Sequence, residues 1–278
     1  MNTEVIRGNF TALSPLHHGG AEQNGTAKLI LKIPTIIVNS DGGETWDDIP
    51  CIHGNAIRGY LRRLIMQDLL DLLDYKLDSK KLYHFLFTGG ALEAVSSKDA
   101  GTINLPLKKR IREALPPVSL MGSALGNQMF NGKLKVMIAD LICKETAQFY
   151  DDEHNNFSSY NLTDTDFGTR LDDLQEREED EAATQMKYEF GIIIRGARFT
   201  HEFILEDANP VERACFIRMF KLWEERPFLG GKSGVGYGKV KLDYPSLANE
   251  SDSDYLTFIN ENKKDIISLL DELSEKWK

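Results

Sequence analysis

The sequence predicts an α+β domain of ferredoxin-like topology, and three observations carry that expectation. Alternating or β-branched segments occupy residues 4–13, 27–38, 132–142, 186–194 and 197–205. Two amphipathic helical patterns with capping signals interrupt them, and a glycine-rich loop leads into a last alternating segment. Strand, helix, strands, helix, strand is the order of a split βαβ unit.

Taken in order, 4–13 reads as a strand and Ser14-Pro-Leu-His-His-Gly-Gly20 as a loop. Residues 27–38, rich in β-branched side chains, predict one strand long enough to be central to a sheet. Ile57, Leu61, Leu64, Ile65, Leu69 and Leu72 recur at helical spacing behind a cap expected at Asn55. The outward face of that helix is expected to carry Arg58 and Arg62, with Arg63 flanking them. A short helix is expected over 80–92, ending at Gly89-Gly90. Residues 104–121 form a basic, proline-punctuated stretch around Lys108-Lys-Arg-Ile-Arg112, for which a solvated face and an RNA contact weigh equally. Residues 186–194 and 197–205 read as a strand pair joined by Arg195-Gly196. Asn209, Pro210 and Glu212 then spell a helix start, with Phe216, Phe220 and Trp223 at core spacing. A final amphipathic helix over 254–277 has a largely acidic polar face and predicts packing rather than membrane binding.

The organisation expected is a core domain from 1–143 and 186–245 with an insertion at 67–120, an acidic insertion at 144–185 and a C-terminal helix at 246–278. Residues 144–185 carry 13 acids against three bases and no sustained periodicity, which predicts an exposed, partly disordered excursion. The tail 243–278 adds nine acids against four lysines. The rest holds 26 bases against 21 acids, so a chain of net charge −10 has a mildly basic body and an anionic ligand fits it. No apolar run approaches the roughly 20 residues that span a bilayer, and a cytoplasmic protein is expected. Cys51, Cys143 and Cys215 are too scattered for a disulfide framework or a CxxC metal site. No cofactor and no metal are implied.

Phe228-Leu-Gly-Gly-Lys-Ser-Gly-Val-Gly-Tyr-Gly-Lys-Val240 holds five glycines in nine residues. Glycine accepts positive φ cheaply, so such a run permits a nest of amides around a phosphate, with Lys232 and Lys239 adding charge. A nucleotide-binding P-loop is excluded, because Arg226 stands where that motif needs glycine and a strand follows where it needs a helix. A plain hairpin turn remains the alternative. In a ferredoxin-like topology, however, the loop after strand one, the start of helix one and the loop before the last strand can lie together. They bring His17 and His18 beside Gly19 and Gly20, helix amides with Arg58 and Arg62, and the Lys232–Lys239 loop. Adjacent histidines without carboxylate or cysteine partners at ligand spacing are more often loop hydrogen-bonders than a catalytic or metal pair.

These pieces in this order resemble the RAMP superfamily of CRISPR-associated proteins, in particular the Cas-seven-like subunit that polymerises along guide RNA. The matching segments are Ser14–Gly20, Ile49-Pro-Cys-Ile-His-Gly-Asn-Ala-Ile-Arg-Gly-Tyr-Leu-Arg62, Gly196-Ala-Arg-Phe199 and Gly230–Lys239, and the resemblance spans most of residues 5–244. It implies an RRM-like sheet with an inserted β-hairpin "thumb" and extra helices. The thumb would lie in 144–185, with Phe149, Tyr150, Phe157, Tyr160, Phe167 and Met186 as wedges. It also implies RNA contacts from His17, His18, Gly19, Gly20, His53, Asn55, Arg58, Arg62, Arg63, Lys232, Ser233, Tyr237 and Lys239. The partners implied are guide RNA, further copies of the chain, other effector subunits and a target paired by bases, with no membrane. In RNA-cleaving type III relatives an aspartate stands two residues before a proline after the His-Gly-Gly loop. Here Lys32 precedes Pro34, and a lysine cannot replace a carboxylate in metal or acid–base work. Binding without cleavage, closer to type IV or type I-D assemblies, is therefore expected. A metal-dependent ribonuclease using Asp41, Asp47 or Asp48 is the alternative, and a small-molecule-binding domain a third.

Overall fold

A computed structural model describes residues 2–24, 27–38, 41–90, 104–125, 128–150, 156–170 and 186–276. The chain runs β1 (Thr3–Ala12), β2 (Gly19–Asn24), β3 (Ala27–Ile30), β4 (Lys32–Val38), β5 (Glu44–Ile52), α1 (Gly54–Leu73) and α2 (Lys80–Tyr83). It continues α3 (Leu105–Ala114), α4 (Pro116–Met121), β6 (Ser123–Leu125), β7 (Gln128–Phe130), β8 (Leu134–Val136), β9 (Ala139–Leu141) and β10 (Thr163–Arg170). It ends with β11 (Met186–Ile193), β12 (Arg198–Glu206), α5 (Pro210–Glu225), β13 (Val240–Asp243), α6 (Ser253–Glu261) and α7 (Lys263–Lys276).

The principal sheet has the order β13-β1-β12-β9-β5-β4, with β8 also on β12. Counting β8 and β9 as one interrupted strand, the first four positions are fourth, first, third, second, which is the ferredoxin-like order behind the α+β fold. β1 pairs antiparallel with both β12 and β13. Its alternation sends Ile6 and Phe10 inward, where Phe10 lies opposite Phe199 with ring centroids 4.9 Å apart. α5 closes this face: Asn209 and Glu212 form a reciprocal capping box, and Phe216, Phe220 and Trp223 are buried. Tyr244 completes the cluster, its ring lying where any β-carbon on Gly8 would sit, 2.3 Å from Tyr244 Cδ1.

A second sheet, β10-β11-β3-β2, stands beside the first. It explains two departures from the sequence expectation. Residues 27–38 are not one central strand, because Leu31 changes partners. Its N–H donates to His18 O at 2.8 Å, whereas its carbonyl accepts from Cys51 N at 3.3 Å, so β3 joins the second sheet and β4 becomes the edge of the first. Similarly, β11 and β12 form no hairpin. Ile193 exchanges backbone bonds with Leu16, and Gly196, at φ +92°, donates to Ala12, which turns the chain from one sheet into the other. β11 pairs instead with β10, in the register Asp166↔Phe190 and Gly168↔Tyr188.

The expected strand over 132–142 breaks at Met137. Gly54, the first residue of α1, abuts that break so closely that a β-carbon there would lie 2.2 Å from Val136 O. The C-terminal helix is two, because Asn262 bonds Phe258 O with both backbone and side chain and interrupts the ladder. Of the apolar positions expected to pack, Ile259, Ile266, Leu269, Leu270 and Leu273 are nevertheless buried, whereas Leu256 is half-buried and its neighbour Tyr255 is buried in its stead. The three cysteines are buried and free. Among the described residues no helix is long and apolar enough to cross a membrane.

Candidate nucleic-acid interface

The three segments singled out by sequence do meet. A cavity of about 290 Å³ is lined by His17, His18 and Gly19, by Asn55 at the start of α1 and Arg63 near its middle, and by Gly230 and Gly231. Backbone bonds zip the first loop to the last: Gly231 N to His17 O, Gly238 N to Pro15 O and Leu13 N to Lys239 O, all 2.8–2.9 Å. Gly230, at φ +77°, is required here, since a β-carbon would lie 2.5 Å from His17 O. The glycines therefore serve loop-to-loop contact. The amides of Gly231, Gly236 and Gly238, expected in a phosphate nest, donate instead to His17, Ser233 and Pro15 carbonyls.

The opening of α1 is organised by histidines. His53, not Asn55, is the cap: its Nδ1 accepts the Asn55 N–H at 3.1 Å. His18 Nε2 accepts the His53 N–H at 3.1 Å, which fixes the loop against the helix. Burial, with His53 and His17 adding to it, pulls His18 below the usual imidazole range, consistent with that acceptor role. His17 is buried; its Nδ1 bonds Gly191 O at 2.8 Å and its ring meets Phe190 edge-on. It builds the groove floor. No acid occupies the first turn of the 20-residue α1, so its positive end faces the groove uncompensated from its own first turn.

Arg58 and Arg62 depart most from expectation. Arg62 is only 7% exposed and donates to the carbonyls of Leu86, Met121 and Gly122; Arg58 donates to Leu134 O and Met121 O. Both guanidinium groups are spent on the carbonyl end of α4, Arg58 also on the start of β8 and Arg62 also on Leu86. Burial, with Arg58 adding to it, draws Arg62 down to about 10. Arg63 alone of the three is exposed, on the groove.

In the glycine loop Ser233 and Lys239 are exposed. Tyr237 donates its hydroxyl to Asp166 Oδ2 at 2.5 Å, and the Lys232 ammonium lies 3.9 Å from the Phe190 ring centroid. Of the expected wedge residues, Phe149, Phe157, Tyr160 and Phe167 are all more than half exposed. Tyr150 is instead tied to Asp140, and the Met186 side chain lies outside the described residues. Gly20 lies on β2, away from the 290 Å³ cavity, and lines a larger one of about 640 Å³ with Lys32, Asp48 and Asp164. Of the alternative acids, Asp41 accepts from Gly43 N in the β4–β5 turn, and Asp47 accepts from Asp48 N and the Tyr160 hydroxyl.

Sequence reading missed Lys28, which the β2–β3 pairing brings to the groove wall, and the pair Tyr188 and Phe190. Alternate spacing on one strand was the available signal for that pair.

No curated protein matches the chain. Among solved structures, one described as "Type IV-B CRISPR Complex" superposes with a TM-score of 0.59 at 17% identity, covering 89% of this chain and 93% of that one. A likeness at that identity speaks to the fold. The family model of the RAMP superfamily matches residues 9–241, which contain all three groove-forming segments, Ser14–Gly20, Gly54–Arg63 and Gly230–Lys239. The chain belongs to the RAMP superfamily.

Proposed function

We propose that this chain is a Cas-seven-like backbone subunit of a CRISPR effector complex, whose copies line up on a guide RNA in the cytoplasm and hold it without cutting it. The observation that carries the reading is the single groove made by the His17–Gly19 loop, the amide end of α1 and the glycine loop, with Lys28 and Arg63 on it and Lys232 and Lys239 beside it. A helix N-terminus flanked by bases suits a phosphodiester backbone, which is read by charge and shape while the bases stay free to pair. The superposed type IV-B chain supports the same assignment and favours a type IV over a type III assembly, as does Lys32 ahead of Pro34. The exposed aromatic residues of the β10 side supply wedges of the kind a thumb needs. Other effector subunits and a base-paired target complete the expected partners.

The test is to purify the chain from cells carrying a guide array and size the RNA that accompanies it. Bound RNA of uniform length is expected, with mass in steps of one subunit. A monodisperse, RNA-free monomer would overturn the reading. Cuts in complementary RNA with magnesium, abolished by Asp47→Ala or Asp48→Ala, would overturn its non-catalytic half.

A further inference from the structure

We propose that Tyr188, Phe190 and Asp166 are positioning residues that hold Lys232 as an ordered, un-neutralised cation for the phosphate backbone, so that the glycine loop and the β10–β11 hairpin act as one unit. The inference rests on the guide-RNA reading above.

Lys232 adopts φ +63° and ψ 24°, a left-handed conformation uncommon for a side chain with a β-carbon. That backbone aims its side chain over the hairpin. The ammonium lies 3.9 Å from the Phe190 centroid and 4.4 Å from that of Tyr188, with the Tyr188 hydroxyl at 3.4 Å. Ring faces attract a cation without cancelling its charge, whereas a carboxylate would do both. The carboxylate nearby, Asp166, is engaged otherwise: it accepts the Tyr237 hydroxyl at 2.5 Å and the Phe167 N–H at 2.8 Å. Those bonds hold its carboxyl below the usual range, with Lys232 the smallest contribution.

Register puts the parts on one face. Asp166 is opposite Phe190, and Gly168 is opposite Tyr188, where a β-carbon would lie 2.4 Å from the Tyr188 ring. The absent side chain at Gly168 lets Tyr188 lie flat under the lysine. Phe190 is 3% exposed and is met edge-on by His17 at 5.1 Å and by Tyr237 at 5.5 Å. The groove floor, the loop and the hairpin thus share one aromatic joint.

The experiment measures binding of the full chain to a single-stranded RNA of defined length across a salt series, with thermal melting of every variant. Lys232→Ala is expected to weaken binding about five- to tenfold and to lower the salt slope by about one. Tyr188→Leu should reproduce most of that loss and add nothing in the Lys232→Ala background, while Tyr188→Phe, which keeps the ring face, should bind as wild type. Asp166 gives a check that does not depend on an aromatic substitution. If it acted only through its charge, Asp166→Ala would strengthen RNA binding. As the anchor of Tyr237 it should weaken binding on alanine substitution, and Asp166→Asn, which can still accept the hydroxyl, should restore it. Equal losses from Tyr188→Leu with and without Lys232, or tighter binding by Asp166→Ala, would overturn the proposal while leaving the guide-RNA reading intact. Absence of RNA binding by the wild-type chain would remove both.

Discussion

The two sheets use their aromatic residues in opposite ways. In the principal sheet, Phe10, Phe199 and Phe203 on the strands, with Phe216, Phe220 and Trp223 on α5, interlock as stacked and edge-on pairs and are all buried. In the second sheet, Phe167 is 66% exposed, and Tyr188 and Phe190 present ring faces to a lysine. The first arrangement maximises apolar burial and therefore stability; the second leaves the Phe167 ring wet, which a chain tolerates where another molecule is to cover it, and turns the faces of half-buried Tyr188 and buried Phe190 to a cation. On the proposed guide-RNA reading, stability belongs mainly to the first sheet and RNA contact to the second, and substitutions in each should separate the two properties.

The sharpest separation is expected at Trp223. Trp223→Ala removes the hub of the principal cluster and should cost about 3–5 kcal/mol in urea unfolding. Against a typical total of about 5–15 kcal/mol, that leaves a marginal protein. Next is Arg62→Ala, which strips the donors from Leu86, Met121 and Gly122 carbonyls and should cost about 2–3 kcal/mol, with RNA affinity of the folded fraction unchanged. Its neighbour reverses the pattern. Arg63→Ala should stay within about 0.5 kcal/mol of wild-type stability yet weaken RNA binding and flatten its salt dependence.

The principal sheet should also show its burial in pH dependence. His201 is 2% exposed. Met137 O can only accept, so His201 Nε2 carries the proton toward it at 3.1 Å, and Nδ1 accepts the Tyr244 hydroxyl at 2.7 Å. Burial holds this imidazole down at about 4 against 6.5 when unfolded, although the bond to Met137 O works the other way. The unfolded chain therefore binds a proton between those values that the folded chain does not. Stability from His201 is complete above pH 6.5 and falls as pH drops toward 4, by about 2 kcal/mol on reaching pH 5. Urea midpoints at pH 7 and pH 5 measure it, and His201→Gln should remove this increment of the slope.

What sequence revealed follows the same division. Local chemistry was legible: the Asn209–Glu212 capping box, the core spacing on α5 and the convergence of three loops all follow from short-range pattern and from ferredoxin-like order. The second sheet was not. Leu31 switches hydrogen-bond partners between sheets and Gly196 turns the chain from one sheet into the other, and neither change alters hydrophobic periodicity, so 27–38 looked like one strand and 186–205 like one hairpin. Arg58 and Arg62 misled for a related reason: helical spacing places them outward on an isolated helix, but α4 packs its carbonyl end over that face. A guanidinium directed at carbonyls looks, in sequence, the same as one directed at phosphate.

The smallest effect on stability is expected at Phe167, and it is also the most specific probe of the second sheet. Phe167→Ala should change unfolding free energy by no more than about 0.5 kcal/mol, because the ring is already in water. If the ring stacks on or wedges between guide bases, its loss should still weaken RNA binding by about 1–3 kcal/mol with the salt slope unaltered, since stacking displaces no counterions. Lys232→Ala and Arg63→Ala should instead lower that slope. A changed slope in Phe167→Ala would place the ring's influence in the hairpin's support of Lys232, whereas unchanged affinity would exclude it from the RNA path altogether.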